Sequence, residues 1–214
     1  MSSQTGNTAM QVLLTGATGF LGRRVLRELL DEGCAVRCAV RSGSDVQSLR
    51  DFVGSRRWNR SETVNAQLAN TDQCGDLVRD CDVVYHAAAA LSGSASNLVM
   101  NSVVPTRNLM NAAAEEGVGR FVLVSSLGIY GSQNLRRNAV LDEECPVDSA
   151  GHLRDPYTYS KILQEEVAWK ISQETGLPLV VLRPGVIFGD ERGVLSHRVG
   201  LQLGGLLLRM GGGQ

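Results

Sequence analysis

Residues 16–22 read Gly-Ala-Thr-Gly-Phe-Leu-Gly, entered from the apolar run Met10-Gln11-Val12-Leu13-Leu14-Thr15. Leu21, Val25, Leu26, Leu29 and Leu30 follow at helical spacing. A short buried strand that turns through three glycines into an amphipathic helix restricts the chain to few folds. Gly16 permits a tight turn, Gly19 removes the side chain where a ligand would approach, and Gly22 lets helix and strand pack closely. The first N–H groups of the helix and the positive end of its dipole then converge on one point, where a diphosphate is favoured. Loops use glycine freely, so the triplet gains its meaning from standing between a strand and a helix. Placed there, it reads as a dinucleotide fingerprint.

The 214 residues suffice for one domain with a sizeable core, or for one and a half. A net charge of −1 with 20% charged residues gives no electrostatic reason to expect nucleic acid or an anionic membrane as partner. The one basic run, Arg56-Arg57-Trp58-Asn59-Arg60, reads as a solvated loop between helix and strand. Five cysteines (34, 38, 74, 81 and 145) lack any Cys-x-x-Cys spacing, and three lie at or near expected strands. They read as reduced, packed thiols of a cytoplasmic protein. The three histidines (86, 152 and 197) are distant in sequence from one another and from any paired cysteines, so no metal site is expected. Residues 1–9 read as a disordered leader, Met1 to Thr8 being polar and without the apolar core of a secretion signal. The stretch Leu201 to Met210 is too short to span a bilayer and is broken by Gly204 and Gly205.

Apolar runs and helical periodicities alternate along the chain. Strands are expected at 10–15, 35–40, 63–68, 82–86, 119–125 and 178–183, and helices at 20–32, 44–53, 72–80, 97–116 and 157–175. Such alternation implies parallel pairing with right-handed crossovers, hence an α/β doubly wound sheet in the order 3-2-1-4-5-6 with helices on both faces. Residues 10–190 form this dinucleotide-binding domain. Val194 to Met210 has helical apolar spacing with nothing to close over it. Residues 191–214 therefore read as the start of a truncated substrate-binding region, most of which this chain lacks.

Two further constellations carry chemistry. Tyr157 and Lys161 are four residues apart, so on a helix they share one face. A free tyrosine titrates near about 10, and an adjacent ammonium favours its phenolate, which produces a general acid/base for a secondary alcohol or ketone. The strand Val122-Leu123-Val124 ends in Ser125 and Ser126, whose hydroxyls would stand in the ligand crevice at the strand's carboxyl end. In isolation, each set would read as surface residues or strand-terminal serines satisfying backbone groups. Together with the glycine turn they form a pattern.

These residues resemble the extended short-chain dehydrogenase/reductase family, also called the NAD(P)-dependent epimerase/dehydratase family. The matching segments are GATGFLG at 16–22, DVVYHAAA at 82–89, Asn101 with TRNL at 106–109, FVLVSSLGIYG at 121–131, YTYSK at 157–161 and LRPGVIFG at 182–189. They cover most of the chain in the family's order. The resemblance implies a Rossmann-like fold and an oxidoreductase moving hydride between nicotinamide and a secondary alcohol or carbonyl of a small molecule. It implies Ser126, Tyr157, Lys161 and Asn101 as the catalytic set. Ser126 would polarise the substrate oxygen, Tyr157 would transfer the proton, and Lys161 would lower the tyrosine's pKa and hold the nicotinamide ribose. Cofactor contacts are implied for Gly16, Thr18, Gly19, Phe20, Leu21, Gly22, Arg41, Gln67, Leu68, Ala87, Ala88, Ala89, Ser125, Tyr157, Lys161, Pro184, Gly185 and Val186. A homodimer through the helices at 97–116 and 157–175 is also implied.

Three departures from the family pattern bear on the chemistry. Gln67 replaces a common acidic residue and can still accept from the adenine amino group. Pro105 replaces a common glycine within the helix expected at 97–116 and would free the carbonyl of Asn101. That carbonyl either takes a water that feeds a proton relay, or the proline is a structural kink. Leu127 and Gly128 stand where 4,6-dehydratases carry Asp-Glu, which argues against dehydration. Arg41, at the end of the second strand, can pair the 2′-phosphate of NADP, or stack on adenine with NAD bound. Asp45 comes too late to serve the ribose. NADP with a reductase follows as the preferred reading. A nucleotide-sugar epimerase with tightly bound NAD, or a non-catalytic NAD(P)-sensing protein of the same fold, are the alternatives.

Overall fold

The computed structural model describes residues 9–131, 135–136 and 138–189, together with the strand backbone at 201–203 and 206–208. Residues 1–8 of the leader expected at 1–9 lie outside the described residues. Two units separate by compactness, Met1–Pro184 and Gly185–Gln214.

In the first unit the described elements run β1 (Gln11–Thr15), α1 (Phe20–Asp31), β2 (Ala35–Val40), α2 (Val46–Val53), α3 (Ser55–Trp58), β3 (Ser61–Asn65) and α4 (Thr71–Val78). They continue through β4 (Val83–His86), α5 (Ala95–Leu98), a π-helical turn (Val99–Val103), α6 (Val104–Glu115), β5 (Arg120–Val124), α7 (Pro156–Thr175) and β6 (Leu179–Leu182). The strands form one sheet in the order β3-β2-β1-β4-β5-β6, every pair parallel. All six carboxyl ends therefore lie along one edge of the sheet.

The sheet buries both faces, as a parallel sheet must. Successive residues of β1 alternate between them. Val12 and Leu14 pack with Leu26 and Leu30 of α1 and with Leu49 and Val53 of α2. Leu13 packs on the opposite face with Leu77 of α4, Leu109 and Met110 of α6, and Ala168 and Ile171 of α7. All five cysteines are unpaired, and four are buried. Burial pushes the Cys38 thiol up to about 12 and that of Cys74 to about 11, so these thiols act as small apolar groups.

Four elements differ from the sequence reading. The third strand ends at Asn65, short of the expected 68, because Asn70 accepts from the Gln73 N–H and starts α4 there. The apolar residues Val64, Ala66 and Leu68 suggested a longer strand, but only Val64 lies in it. The basic run at 56–60 begins within α3 rather than in a loop, with Arg57 paired to Asp31. The helix expected at 97–116 is interrupted by the π turn, where the Val104 N–H bonds Val99 O. Pro105 falls in the first turn of α6, where a missing N–H costs little. In the second unit, the helix expected over 194–210 is replaced at 201–208 by an antiparallel pair, β7 (Leu201–Leu203) and β8 (Leu206–Leu208). Two glycines between leucine-rich triplets are a hairpin signal that outweighs the helical spacing. Among the described residues no helix is long and apolar enough to cross a membrane.

His86 closes β4 within the core, fully buried beside Phe121 at 5.9 Å between ring centres. Burial pushes its pKa down to about 3 from 6.5. Its folded pKa is the lower one, so the neutral ring contributes stability above about 6.5, and that contribution drains away as pH falls toward 3. Between pH 7 and pH 5 the loss from this group alone is roughly 2 kcal/mol. Urea denaturation of His86→Gln should show a correspondingly flatter dependence of unfolding free energy on pH than the wild type over that interval.

Candidate active site

The glycine turn is built by mutual exclusion of side chains. Gly16 has φ +74°, and a Cβ there would lie 2.8 Å from the Ala87 carbonyl carbon and from the Ala88 nitrogen. A Cβ on Gly22 would lie 2.0 Å from the Gly16 oxygen. Gly19 caps α1 without a side chain, its N–H bonded to Gly16 O at 3.0 Å, and a Cβ there would meet only that oxygen at 3.2 Å. The first turn of α1 thus lacks a side-chain cap, which leaves its positive end for an anion. Thr18, Phe20 and Leu21 complete the turn, half-buried. The Arg24 guanidinium lies over the Phe20 ring at 3.9 Å.

The other expected contacts within the first unit follow the carboxyl ends of its strands. Arg41 follows β2, is exposed, and makes no side-chain hydrogen bond or ion pair among the described residues. Asp45 accepts from the Ser48 N–H at 2.9 Å and caps α2, so its carboxylate is committed. Beyond β3, Gln67 is exposed and Leu68 half-buried. Ala87, Ala88 and Ala89 continue β4. Pro184 follows β6, its carbonyl accepting from the Leu127 N–H at 2.9 Å. Gly185 and Val186 belong to the second unit.

Ser125 is buried, and its Oγ has no partner among the described residues. An orphaned buried hydroxyl costs about 1–3 kcal/mol, so a ligand or water is expected to satisfy it. Ser126 caps the short 3₁₀ turn at Leu127–Ile129, accepting from the Gly128 N–H at 3.1 Å. A hydroxyl that accepts there keeps its own proton to donate to a substrate oxygen.

Helix α7 carries Tyr157 and Lys161. Asp155 accepts from the Thr158 N–H at 3.1 Å and Pro156 occupies the first turn, which fixes the helix start. Tyr157 follows, half-buried, with Lys161 one turn on. The Lys161 ammonium is buried and donates to Val124 O at 2.9 Å and to Gln164 Oε1 at 2.8 Å. It therefore stands at the end of the strand that carries the two serines. Burial lowers its pKa to about 8, with Glu165 opposing the shift. Asn101 is the member not drawn in. It lies exposed on the π turn, and its amide donates to Asn97 O at 2.9 Å.

Sequence reasoning missed several groups that frame the site. Arg183, just past β6, makes a two-pronged pair with buried Glu165 of α7, at 2.7 Å and 3.1 Å, and donates to the Tyr130 hydroxyl at 2.7 Å. Arg154 pairs with buried Asp148 at 2.7 Å. His86, Thr106 and Gln164 form a buried polar line against Lys161. Only the spacing of Gln164, three residues after Lys161 and so on the same helical face, hinted at its place. No cluster of three or more His, Cys, Asp or Glu side chains able to hold a metal occurs among the described residues.

A glycine turn at a helix start, beside the carboxyl ends of a 3-2-1-4-5-6 sheet, defines a dinucleotide-binding domain. The profile of the NAD dependent epimerase/dehydratase family matches residues 12–203, and the chain belongs to that family. It is 33% identical over 183 residues to cinnamoyl-CoA reductase 1 of Petunia hybrida, covering 83% of this chain and 54% of that protein. Vestitone reductase from alfalfa superposes with a TM-score of 0.68 at 26% identity, over 81% of this chain and 56% of that one. UDP-glucuronic acid 4-epimerase from Bacillus cereus, solved in complex with NAD, shares the fold with a TM-score of 0.69 at 24% identity, over 84% and 58%. The chain spans about half the length of the curated relatives it matches.

The two later glycines of the turn should separate by denaturation. Gly22→Ala must displace the Gly16 carbonyl and should cost at least about 3 kcal/mol. Gly19→Ala meets that oxygen at 3.2 Å, a tight contact that a shift of a few tenths of an ångström relieves, and should cost about 1 kcal/mol.

Proposed function

We propose that this chain is the cofactor-binding and catalytic part of an NADP(H)-dependent carbonyl reductase acting on a small molecule. The observation that carries this reading is the buried Lys161 ammonium bonded to Val124 O at the end of β5, one helical turn from Tyr157 and beside the next residue's orphaned hydroxyl, that of Ser125. The residues present fit a nicotinamide dinucleotide. The capless start of α1 receives the diphosphate, and Ser125, Ala87, Ala88 and Pro184 line the crevice toward the nicotinamide. Gly185 and Val186 are included on resemblance alone.

When bound, the nicotinamide supplies or accepts the hydride. Ser126 hydrogen-bonds the substrate carbonyl oxygen through its hydroxyl, keeping its proton, and polarises the carbonyl. Tyr157 delivers a proton to that oxygen as the alcohol forms. Lys161, with two of its three protons committed to Val124 O and Gln164 Oε1, keeps the third for the ribose, and its charge favours the phenolate of Tyr157. Asn101 enters only through the resemblance. Arg41, exposed and unengaged, is placed to pair a 2′-phosphate, and the commitment of Asp45 to α2 removes the nearest carboxylate that would favour NAD. A cytoplasmic homodimer, paired through α6 and α7, completes the reading.

Calorimetric titration tests the cofactor assignment. NADPH should bind more tightly than NADH, and Arg41→Ala should weaken NADPH about 10–100-fold while leaving NADH nearly unchanged. Equal affinities in the wild type would remove the 2′-phosphate role. With a panel of small carbonyl compounds, Tyr157→Phe should slow NADPH consumption by about 10²–10⁴-fold with cofactor affinity retained.

A further inference from the structure

Behind Lys161 lies a continuous line of hydrogen bonds that reaches across the sheet to the glycine turn. Lys161 Nζ donates to Gln164 Oε1 at 2.8 Å, and Gln164 Nε2 donates to Thr106 Oγ1 at 2.6 Å. Thr106 donates its own proton to Ser102 O at 2.8 Å. The contact of 2.9 Å between Thr106 Oγ1 and His86 Nε2 must then have the ring as donor, because the hydroxyl has no second proton. His86 is thereby the Nε2–H tautomer, and its Nδ1 accepts from Thr15 Oγ1 at 2.7 Å. Thr15 Oγ1 in turn accepts from the Ala88 N–H at 3.2 Å. Thr15, His86, Thr106 and Gln164 are each 0% exposed, and Lys161 is 3% exposed.

Every proton in this line has one place to be. If the Gln164 amide were reversed, its NH₂ would face the ammonium and its oxygen would face Thr106, whose proton is already committed to Ser102 O. Both contacts would be lost in a region without solvent, where unpaired polar groups are most costly. The amide is thus held with its oxygen on Lys161. With two ammonium protons fixed by Val124 O and Gln164 Oε1, tetrahedral geometry fixes the direction of the third.

We propose that Gln164 is the positioning residue of Lys161, and that Thr106 and the Nε2–H tautomer of His86 hold Gln164 in the one amide orientation that serves it. The proposal rests on the reading of Tyr157 and Lys161 as the proton-transfer pair. The charged and titratable groups near Lys161 are Glu165, Tyr157 and His86. Glu165 is held by Arg183, and His86 stays neutral. Gln164 is therefore the neutral group whose dipole sets the direction of the ammonium.

The chain contains two lysines, Lys161 and Lys170, which makes a direct readout possible on the protein without substrate or cofactor. Carbon-13 and nitrogen-15 labelling of lysine gives two side-chain signals, assigned with Lys170→Arg. The wild-type Lys161 midpoint should lie near 8. Gln164→Leu removes an acceptor from the ammonium and should lower the midpoint by about one unit, whereas Gln164→Glu should raise it by a similar amount. Thr106→Val should lower it, and Thr106→Ser should restore it. Midpoints within about 0.3 units of wild type in both Gln164 variants would overturn the proposal. The wild type alone also tests it, since the nitrogen-15 shifts of His86 must report a neutral Nε2–H ring from about pH 5 to pH 8. A protonated ring or the Nδ1–H tautomer would overturn it even if no variant folded. If the lysine midpoint moves while the pH profile of carbonyl reduction does not, the positioning stands and the proton-transfer reading of Tyr157 and Lys161 falls.

Discussion

The carbonyl of Gly16 fills the space that a side chain at residue 22 would need, and the Gly16 Cα faces the backbone of Ala87 and Ala88. One peptide unit is thus clamped between the first turn of α1 and the exit of β4. Much of the site's geometry follows from that clamp. It sets how close the helix start comes to the strand edge, and so where an anion can sit. It also brings the end of β1 beside the end of β4, in register from Val12 with Val83 to Thr15 with His86. The two polar side chains that finish these strands therefore meet at 2.7 Å inside the core instead of facing water. Polar groups buried this deeply hold their places only when fully paired.

Two cations lie against α7, half-buried Arg183 from beyond β6 and buried Lys161 from the helix itself, and they are handled in opposite ways. Arg183 meets Glu165 with a two-pronged contact and a tyrosine hydroxyl, an arrangement that raises its pKa. Its charge is matched and permanent. Lys161, one turn earlier, is surrounded by neutral acceptors, and burial lowers its pKa to about 8. Glu165 follows it by four residues and opposes that shift, but its carboxylate is spoken for by Arg183. The pairing thus keeps the one available anion from neutralising Lys161. A charge that is solvated only by dipoles still projects its field onto a neighbouring phenol, whereas a closed ion pair would not.

The sheet was readable because its signals are redundant. Apolar runs, glycine punctuation and helix length all point to alternating strands and helices, and the order 3-2-1-4-5-6 follows from handedness rules more than from any residue. The placement of Tyr157 and Lys161 was readable because they stand one turn apart on a helix whose cap, Asp155-Pro156, is itself a sequence signal. Other features were not legible, for physical reasons. The π turn at Val99–Val103 uses residues with ordinary helical spacing, and an extra residue per turn leaves no mark in composition. The stop of β3 depends on the side chain of Asn70, which accepts from the Gln73 N–H and starts α4, not on the strand's own apolar content. Leu201 to Leu208 carries apolar residues that suit a helix or a hairpin, and the glycine pair decides between them. Gln164 reads as a solvated polar residue in any single-sequence view. Its burial is set by Thr106 and His86, which lie 58 and 78 positions away.

The same dependence on distant partners shapes the adenine end of the site. An acidic residue near the end of β2 would select an unphosphorylated ribose, and Asp45 is the nearest one in this chain. Its carboxylate instead accepts from the Ser48 N–H, replacing one of the bonds the first turn of α2 cannot make for itself. Turning Asp45 toward a ribose would uncap that helix, at a cost of about 1 kcal/mol. Leu49 and Val53 of α2 belong to the core cluster under β1 and β2, so a looser helix start would also disturb the packing beneath the strand that ends at Arg41. Arg41 carries no such duty. Under the proposed NADP(H) reading, removing its guanidinium would subtract a contact to the 2′-phosphate without supplying the acceptor that a ribose needs. In the proposed reading, preference at this end of the site is thus set by two residues jointly, one exposed and uncommitted and one held by the fold.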